Sequence, residues 1–189
     1  MQQKGRFKMV EGKLINYSLL SDAIEYYIGL GYDYINVPWT VPQFILDITK
    51  PPESYADRLR MGMYLVGSGE QSFLDLIARK KLTQGKYVCC TPCFRNEPEY
   101  NDLHQPYFMK VELINTEDTS EESLRDITTD AFQFFNKHIY ISKVKMDDGS
   151  IDIVSYEQNI ELGSYGIREH PMVGKWLYGT GCAEPRLST

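Results

Sequence analysis

Thr91-Pro92-Cys93-Phe94-Arg95-Asn96-Glu97, followed after a polar stretch by His104-Gln105-Pro106-Tyr107-Phe108-Met109-Lys110-Val111-Glu112-Leu113, is the part of the chain that decides its reading. Lys86–Phe94 and Tyr107–Asn115 are both apolar, β-rich runs. The polar Asn96–Gln105 between them predicts an antiparallel pair joined by a long exposed loop. Arg95 and Glu97, two apart on a strand, project to the same face. A fixed guanidinium can clamp a phosphate bidentately, and a carboxylate beside it can accept a base amino group. Phe108 on the neighbouring strand can stack on a purine. Together these parts can hold a nucleotide on an open sheet with no glycine-rich phosphate loop. The plainer alternatives are a surface ion pair for Arg95 and Glu97 and a core role for Phe108.

Outward from this pair, Ser18–Leu30 places Leu19, Leu20, Ala23, Tyr26, Tyr27 and Leu30 at helical spacing, with Ser18 or Ser21 as N-cap and Gly31 as the stop. Tyr34–Val37 reads as a short strand closed by Pro38. Thr40–Asp57, with Pro42, Pro51 and Pro52, reads as a loop. Met63–Val66 predicts a strand, and Glu70–Leu82 a helix with Arg79, Lys80 and Lys81 in its last turn. Ser120 N-caps a further helix running to about His138. Strands follow at Tyr140–Met146, Ile151–Ser155, Gln158–Gly163 and Trp176–Gly179, with a hairpin turn at Asp148-Gly149. This order lacks regular β-α-β alternation. The expected class is α+β, a largely antiparallel sheet flanked by helices.

The 189 residues fit one domain, 1–189. Hydrophobic residues make up 42% and charged residues 24%, which excludes a disordered chain. No apolar run is long enough to span a bilayer and no secretory leader is evident, so no membrane is expected. The net charge of −6 argues against a large nucleic-acid footprint. Cys89, Cys90, Cys93 and Cys182 lack partners at zinc spacing, and Cys90-Thr91-Pro92-Cys93 sits in a strand-like run, which points to buried thiols and a cytoplasmic location.

Phe-Arg-Asn-Glu, a loop, then His-x-Pro-x-Phe-x-x-x-Glu resembles motif 2 of the class II aminoacyl-tRNA synthetases. Phe108-x-Lys-Val-Glu-Leu is close to the seryl-type enzymes, and the Arg-Asn-Glu and His-x-Pro-x-Phe elements to the lysyl/aspartyl group. Gly31–Pro38 resembles motif 1, which in the family ends in Pro and builds the dimer interface. Gly67-Ser68-Gly69-Glu70 resembles the Thr-x-Glu-like loop that contacts the amino acid. Ile160–Arg168 resembles the Glu-containing strand before motif 3, and Tyr178–Leu187 resembles motif 3 itself. The five pieces stand in the family's order from Ser18 to Leu187.

The resemblance implies the class II catalytic-core fold, ATP and Mg²⁺, and a homodimer through the segment around Pro38. It implies that Arg95 binds the α-phosphate and steadies charge developing there. Glu97 would contact the adenine amino group, Phe108 one adenine face, and Arg186 the other face and the γ-phosphate. Glu161 would hold Mg²⁺ on the triphosphate. Ser68, Glu70 and Glu112 would line the amino-acid site, with the two carboxylates on an α-ammonium or a polar side chain, which hints at an amine or hydroxyl substrate. His104 either contacts nucleotide or caps a turn, and Arg168 either contacts phosphate or forms a structural ion pair. The implied reaction is attack of a carboxylate on the α-phosphate, giving an aminoacyl-adenylate and pyrophosphate.

Two departures bear on function. Ala183 and Pro185 replace the usual third glycine and Glu of motif 3, and the family's supporting helix after Arg186 is missing, which leaves that arginine poorly held. No segment is left over for an anticodon-binding domain, and the loop Pro98–Gln105 is acidic where the family meets tRNA. A stand-alone amino-acid-activating enzyme is therefore expected, with a carrier protein, small amine or nucleic acid as acceptor. The rival readings are a non-catalytic, ligand-sensing paralogue and a minimal or truncated tRNA synthetase.

Overall fold

A computed structural model describes residues 14–51, 56–96, 105–157 and 160–188. Nine strands and four helices occur among them. Helix α1 spans Tyr17–Gly29. Its N-cap is Asn16, whose Oδ1 accepts from the Leu19 N–H, so the two serines proposed as caps lie inside the helix instead. Leu19, Leu20, Ala23 and Tyr27 form its buried face.

Strand β1 is only Asp33–Tyr34. The segment expected to be a loop holds β2 (Thr40–Pro42) and helix α2 (Gln43–Thr49). Pro42 does not break this structure, because it sits at the N-cap in extended backbone, where its missing N–H is not needed. Strand β3 (Met63–Leu65) pairs antiparallel with β2. Helix α3 covers Gly69–Ala78 and ends before the basic run. Arg79 is its C-cap, and Lys80 has left-handed backbone, φ 56°.

Strands β4 (Lys86–Phe94) and β5 (Tyr107–Asn115) have the expected bounds and pair antiparallel from Lys86 opposite Asn115 to Phe94 opposite Tyr107. Helix α4 (Glu121–Phe135) is capped by Ser120, whose hydroxyl accepts from the Ser123 N–H. Strands β6 (Ile141–Lys145) and β7 (Ile151–Ser155) form the hairpin at Asp148-Gly149. Strands β8 (Glu161–His170) and β9 (Gly174–Glu184) run far beyond the short strands expected there. Their glycines hide the strand pattern, yet the pairing needs them. A Cβ on Gly166 would come within 2.7 Å of the hydroxyl of Tyr178, its cross-strand partner.

The main sheet has seven strands in the order β1-β4-β5-β9-β8-β7-β6. Only β1–β4 is parallel. Helices α1 and α4 pack on one face, over Val88, Val111, Leu113, Tyr165 and Leu177. Helices α2 and α3 pack on the other, over Cys89, Ile114 and Trp176. They cover the β4–β5 half of that face and leave polar residues of β8 and β9 open. The α+β class and the antiparallel sheet flanked by helices are as the sequence predicts.

Candidate functional site

The uncovered strip is a cleft of about 440 Å³ between the N-terminus of α3 and the face of β5, β9 and β8. Ser68, Glu70, Arg95, Glu112 and Glu161 all line it.

Its inner end is built around Glu112. A register shift between Val111 and Glu112 sets this side chain opposite Thr180, with Gly181 as the extra residue of β9. Glu112 is buried, and its Oε1 accepts from Ser68 Oγ at 2.6 Å and Lys110 Nζ at 2.8 Å. Its Oε2 accepts from the backbone N–H of Gly69, in the first turn of α3, where a negative charge suits the helix dipole. The approach is so close that a Cβ on Gly69 would lie 2.8 Å from Oε2 and 2.9 Å from the Cys89 sulfur. Glu70 is buried beside it. Trp176 Nε1 donates to its Oε1 at 2.8 Å, and Arg168 Nη1 to its Oε2 at 2.7 Å. Arg168 thus takes the ion-pair role of the two left open for it. Burial is the largest influence and opposes its charge, but Glu70, Tyr178 and Asp148 together outweigh it and raise the guanidinium's pKa.

The outer end is looser. Arg95 follows β4, and its Nε donates to the Gly67 carbonyl at 3.2 Å. Its guanidinium lies 5.2 Å from the ring centroid of Phe108, which stands opposite Cys93 on β5. Glu161 opens β8 with an exposed carboxylate. Arg186, in the turn after β9, donates from Nη1 to the Glu161 carbonyl at 3.1 Å and lies 4.0 Å from its carboxylate. The arginine expected to be poorly held is therefore anchored to β8. Phe108 and Arg186 flank the cleft without lining it. Glu97 and His104 lie outside the described residues.

No family model matches this chain, and no curated protein matches it. Solved structures do. Seryl-tRNA synthetase from Pyrococcus horikoshii, complexed with ATP, matches with a TM-score of 0.76 at 19% identity, over 91% of this chain and 49% of that one. Cytoplasmic serine-tRNA ligase from Naegleria fowleri, in complex with AMP, gives 0.74 at 17% identity, over 90% and 51%. PylSc, a pyrrolysyl-tRNA synthetase of Desulfitobacterium hafniense, gives 0.68 at 14% identity, over 91% and 67%. The fold is that of the class II aminoacyl-tRNA synthetase catalytic core. This chain spans about half the length of the two seryl structures.

On this class II fold the motif-like segments fall on β1 and the residues after it, on β4–β5, on β8 and on β9. Three residues missed from sequence complete the inner end. Lys110 had a usable signal, since it lies two positions before Glu112 on one strand and so shares its face. Trp176 and Tyr178 had none, because their places follow from the β8–β9 register.

Among the described residues no group of three or more His, Cys, Asp or Glu is placed to hold a metal. Glu161 alone fits a Mg²⁺ that arrives with a triphosphate, because Mg²⁺ keeps most of its shell as water and phosphate oxygens. Burial disfavours the thiolate form of all four cysteines. Cys89, Cys93 and Cys182 are buried, and burial pushes Cys93 up to about 12 and Cys90 to about 11.

Proposed function

We propose that this chain activates an amino acid with ATP. A carboxylate oxygen attacks the α-phosphorus, the new P–O bond forms as the α–β bridging bond breaks, and pyrophosphate leaves with that electron pair. The observation that carries this reading is a single cleft with two charged ends, Arg95 and Glu161 at the mouth and Ser68, Glu70 and Glu112 inside. Arg95 and Arg186 are the catalytic cations. Arg95 meets the α-phosphate and stabilises its developing charge. Glu97, His104, Phe108, Glu161 and Arg186 complete the ATP site, with the adenine between Phe108 and Arg186. When bound, Mg²⁺ on Glu161 offsets triphosphate charge. Ser68, Glu70 and Glu112 line the amino-acid site, where the oxygens of the two carboxylates retain acceptor capacity for an α-ammonium. Nothing covalent is asked of the protein, and positioning and charge carry the step. Neighbours of the same fold that carry ATP and AMP support this reading.

The acceptor of the aminoacyl group is a carrier protein, a small amine or a nucleic acid other than a full tRNA. The net charge of −6 supports this, because a tRNA-gripping surface needs cations. The described chain acts as one catalytic domain, in the cytoplasm, where its reduced thiols are at home. No helix among the described residues is long and apolar enough to cross a membrane. Exposed Tyr34, Trp39 and Phe44 around Pro38 support a homodimer. Amino-acid-dependent exchange of pyrophosphate into ATP is the test. Exchange with one amino acid, abolished in Arg95→Ala, is the expected result. ATP binding with no exchange for any amino acid would favour the ligand-sensing paralogue.

A further inference from the structure

A pocket that reads an amine or hydroxyl side chain through carboxylates needs those carboxylates available. Here each is neutralised by a neighbour. Lys110 matches Glu112, with Ser68 and the Gly69 N–H as further donors. Arg168 matches Glu70, with the Trp176 indole behind it. Their remaining lone pairs can still meet the α-ammonium, but neither carries an unpaired charge for a second amine in the side chain.

What the cleft presents beyond these pairs is positive. Among the described residues its lining holds four cations, Lys50, Arg95, Lys110 and Arg168, against three anions, Glu70, Glu112 and Glu161. Arg168 is the cation built to read a side chain. Its side chain remains 41% accessible although Glu70 grips Nη1. Its guanidinium stacks 4.0 Å from the centroid of Tyr178, whose ring can lie over β8 only because residue 166 is glycine. A guanidinium fixed from behind by a carboxylate and pressed on a ring keeps its planar fork of donors aimed one way.

We propose that the activated amino acid carries an acidic side chain, and that Arg168 is its specificity-determining residue, positioned by Glu70, Trp176 and Tyr178. This rests on the amino-acid-activation reading above and replaces the amine or hydroxyl substrate expected from sequence. Arg168 takes the side-chain carboxylate, and Arg95 keeps the α-phosphate.

The test is thermal unfolding of the full chain with each standard amino acid at low millimolar concentration, with and without ATP, because a ligand of the folded state raises its melting temperature. Aspartate or glutamate is expected to give the shift. Glu70→Gln/Arg168→Gln, which removes both charges of the pair together, should weaken acid binding roughly tenfold or more and leave the ATP shift intact. Arg168→Lys preserves the charge beside Glu70, and so the fold, but gives up the fork, and should also weaken acid binding. A shift with non-acidic amino acids alone, a shift with none, or an acid response unchanged in Arg168→Lys overturns the proposal. Loss of the ATP shift with the acid response retained counts against the activation reading only, since the arm without nucleotide still reads Arg168.

Discussion

At the inner end of the cleft, Glu70 and Glu112 are buried and held by side-chain donors at 2.6–2.8 Å. At the outer end, Arg95 donates to the Gly67 carbonyl at 3.2 Å, Arg186 meets Glu161 at 3.1–4.0 Å, and Glu161 is half exposed. The inner end is thus part of the fold. Its charges are held by other residues of the fold, and selecting a small substrate requires such preorganisation. The outer end costs the fold little to rearrange. A polyanion arriving there can draw its cations into place. Substitutions should therefore separate, with inner ones acting on stability and outer ones on turnover.

The strongest way to break this contrast is Glu112→Ala. It leaves Lys110, Ser68 and the Gly69 N–H without their shared acceptor, and unfolding in urea should show a loss of about 3–5 kcal/mol. Glu112→Gln, which retains an acceptor oxygen, should lose less. If the alanine variant is as stable as the parent, the inner end is not structural. Arg95→Ala should do the opposite. Its stability should stay within about 0.5 kcal/mol of the parent, while pyrophosphate exchange falls roughly a hundredfold or more, as when one donor to a developing anion is removed. An unfolding defect as large as that of Glu112→Ala would erase the difference between the two ends.

Gly69→Ala sharpens the inner end. Alanine favours helix by about 1 kcal/mol over glycine, but the new Cβ would press on the Glu112 carboxylate and on Cys89. Overpacking of this kind costs about 1–3 kcal/mol, so a net drop in melting temperature is expected. A rise would mean that the contact relaxes.

The smallest effect concerns Glu184, which is buried at the end of β9 beside the N-cap of α1 and whose Oε1 meets no donor among the described residues. Burial raises its carboxyl pKa above the ordinary 4.5, although bonds from Ser188 and Asn16 work against the shift. The folded state thus holds this proton more tightly than the unfolded chain does. The stability it contributes is present in full below pH 4.5 and is lost as pH rises through the higher folded value. Glu184→Gln should gain on the parent in melting temperature between pH 4 and pH 7. A difference that does not change with pH would remove Glu184 as a titrating site.

Much of this was legible in local pattern. The bounds of β4, β5 and β7, the Ser120 cap of α4 and the Asp148-Gly149 hairpin follow from short-range periodicity and turn chemistry. The order of motif-like segments points to the class II core for the same reason, since each is a run of a few residues whose spacing is visible in one dimension. Helix α2 was hidden because Pro42 signals a break in a window but acts as an N-cap in space. Strands β8 and β9 were hidden because Gly163, Gly166, Gly179 and Gly181 carry no apolar pattern, and they are strand residues only where a partner ring or strand fills the missing side chain.

The chain's own order of residues, through its resemblance to the class II motifs, pointed to Ser68, Glu70, Arg95, Glu112 and Glu161, all of which line the cleft. Tertiary structure alone decided how Glu70 is paired. The pairing of Glu70 with Arg168 spans 98 residues and that of Glu70 with Trp176 spans 106. No local spacing encodes such partners. The β8–β9 register brings them together and turns Glu70, which reads as an amine acceptor, into the support of an arginine.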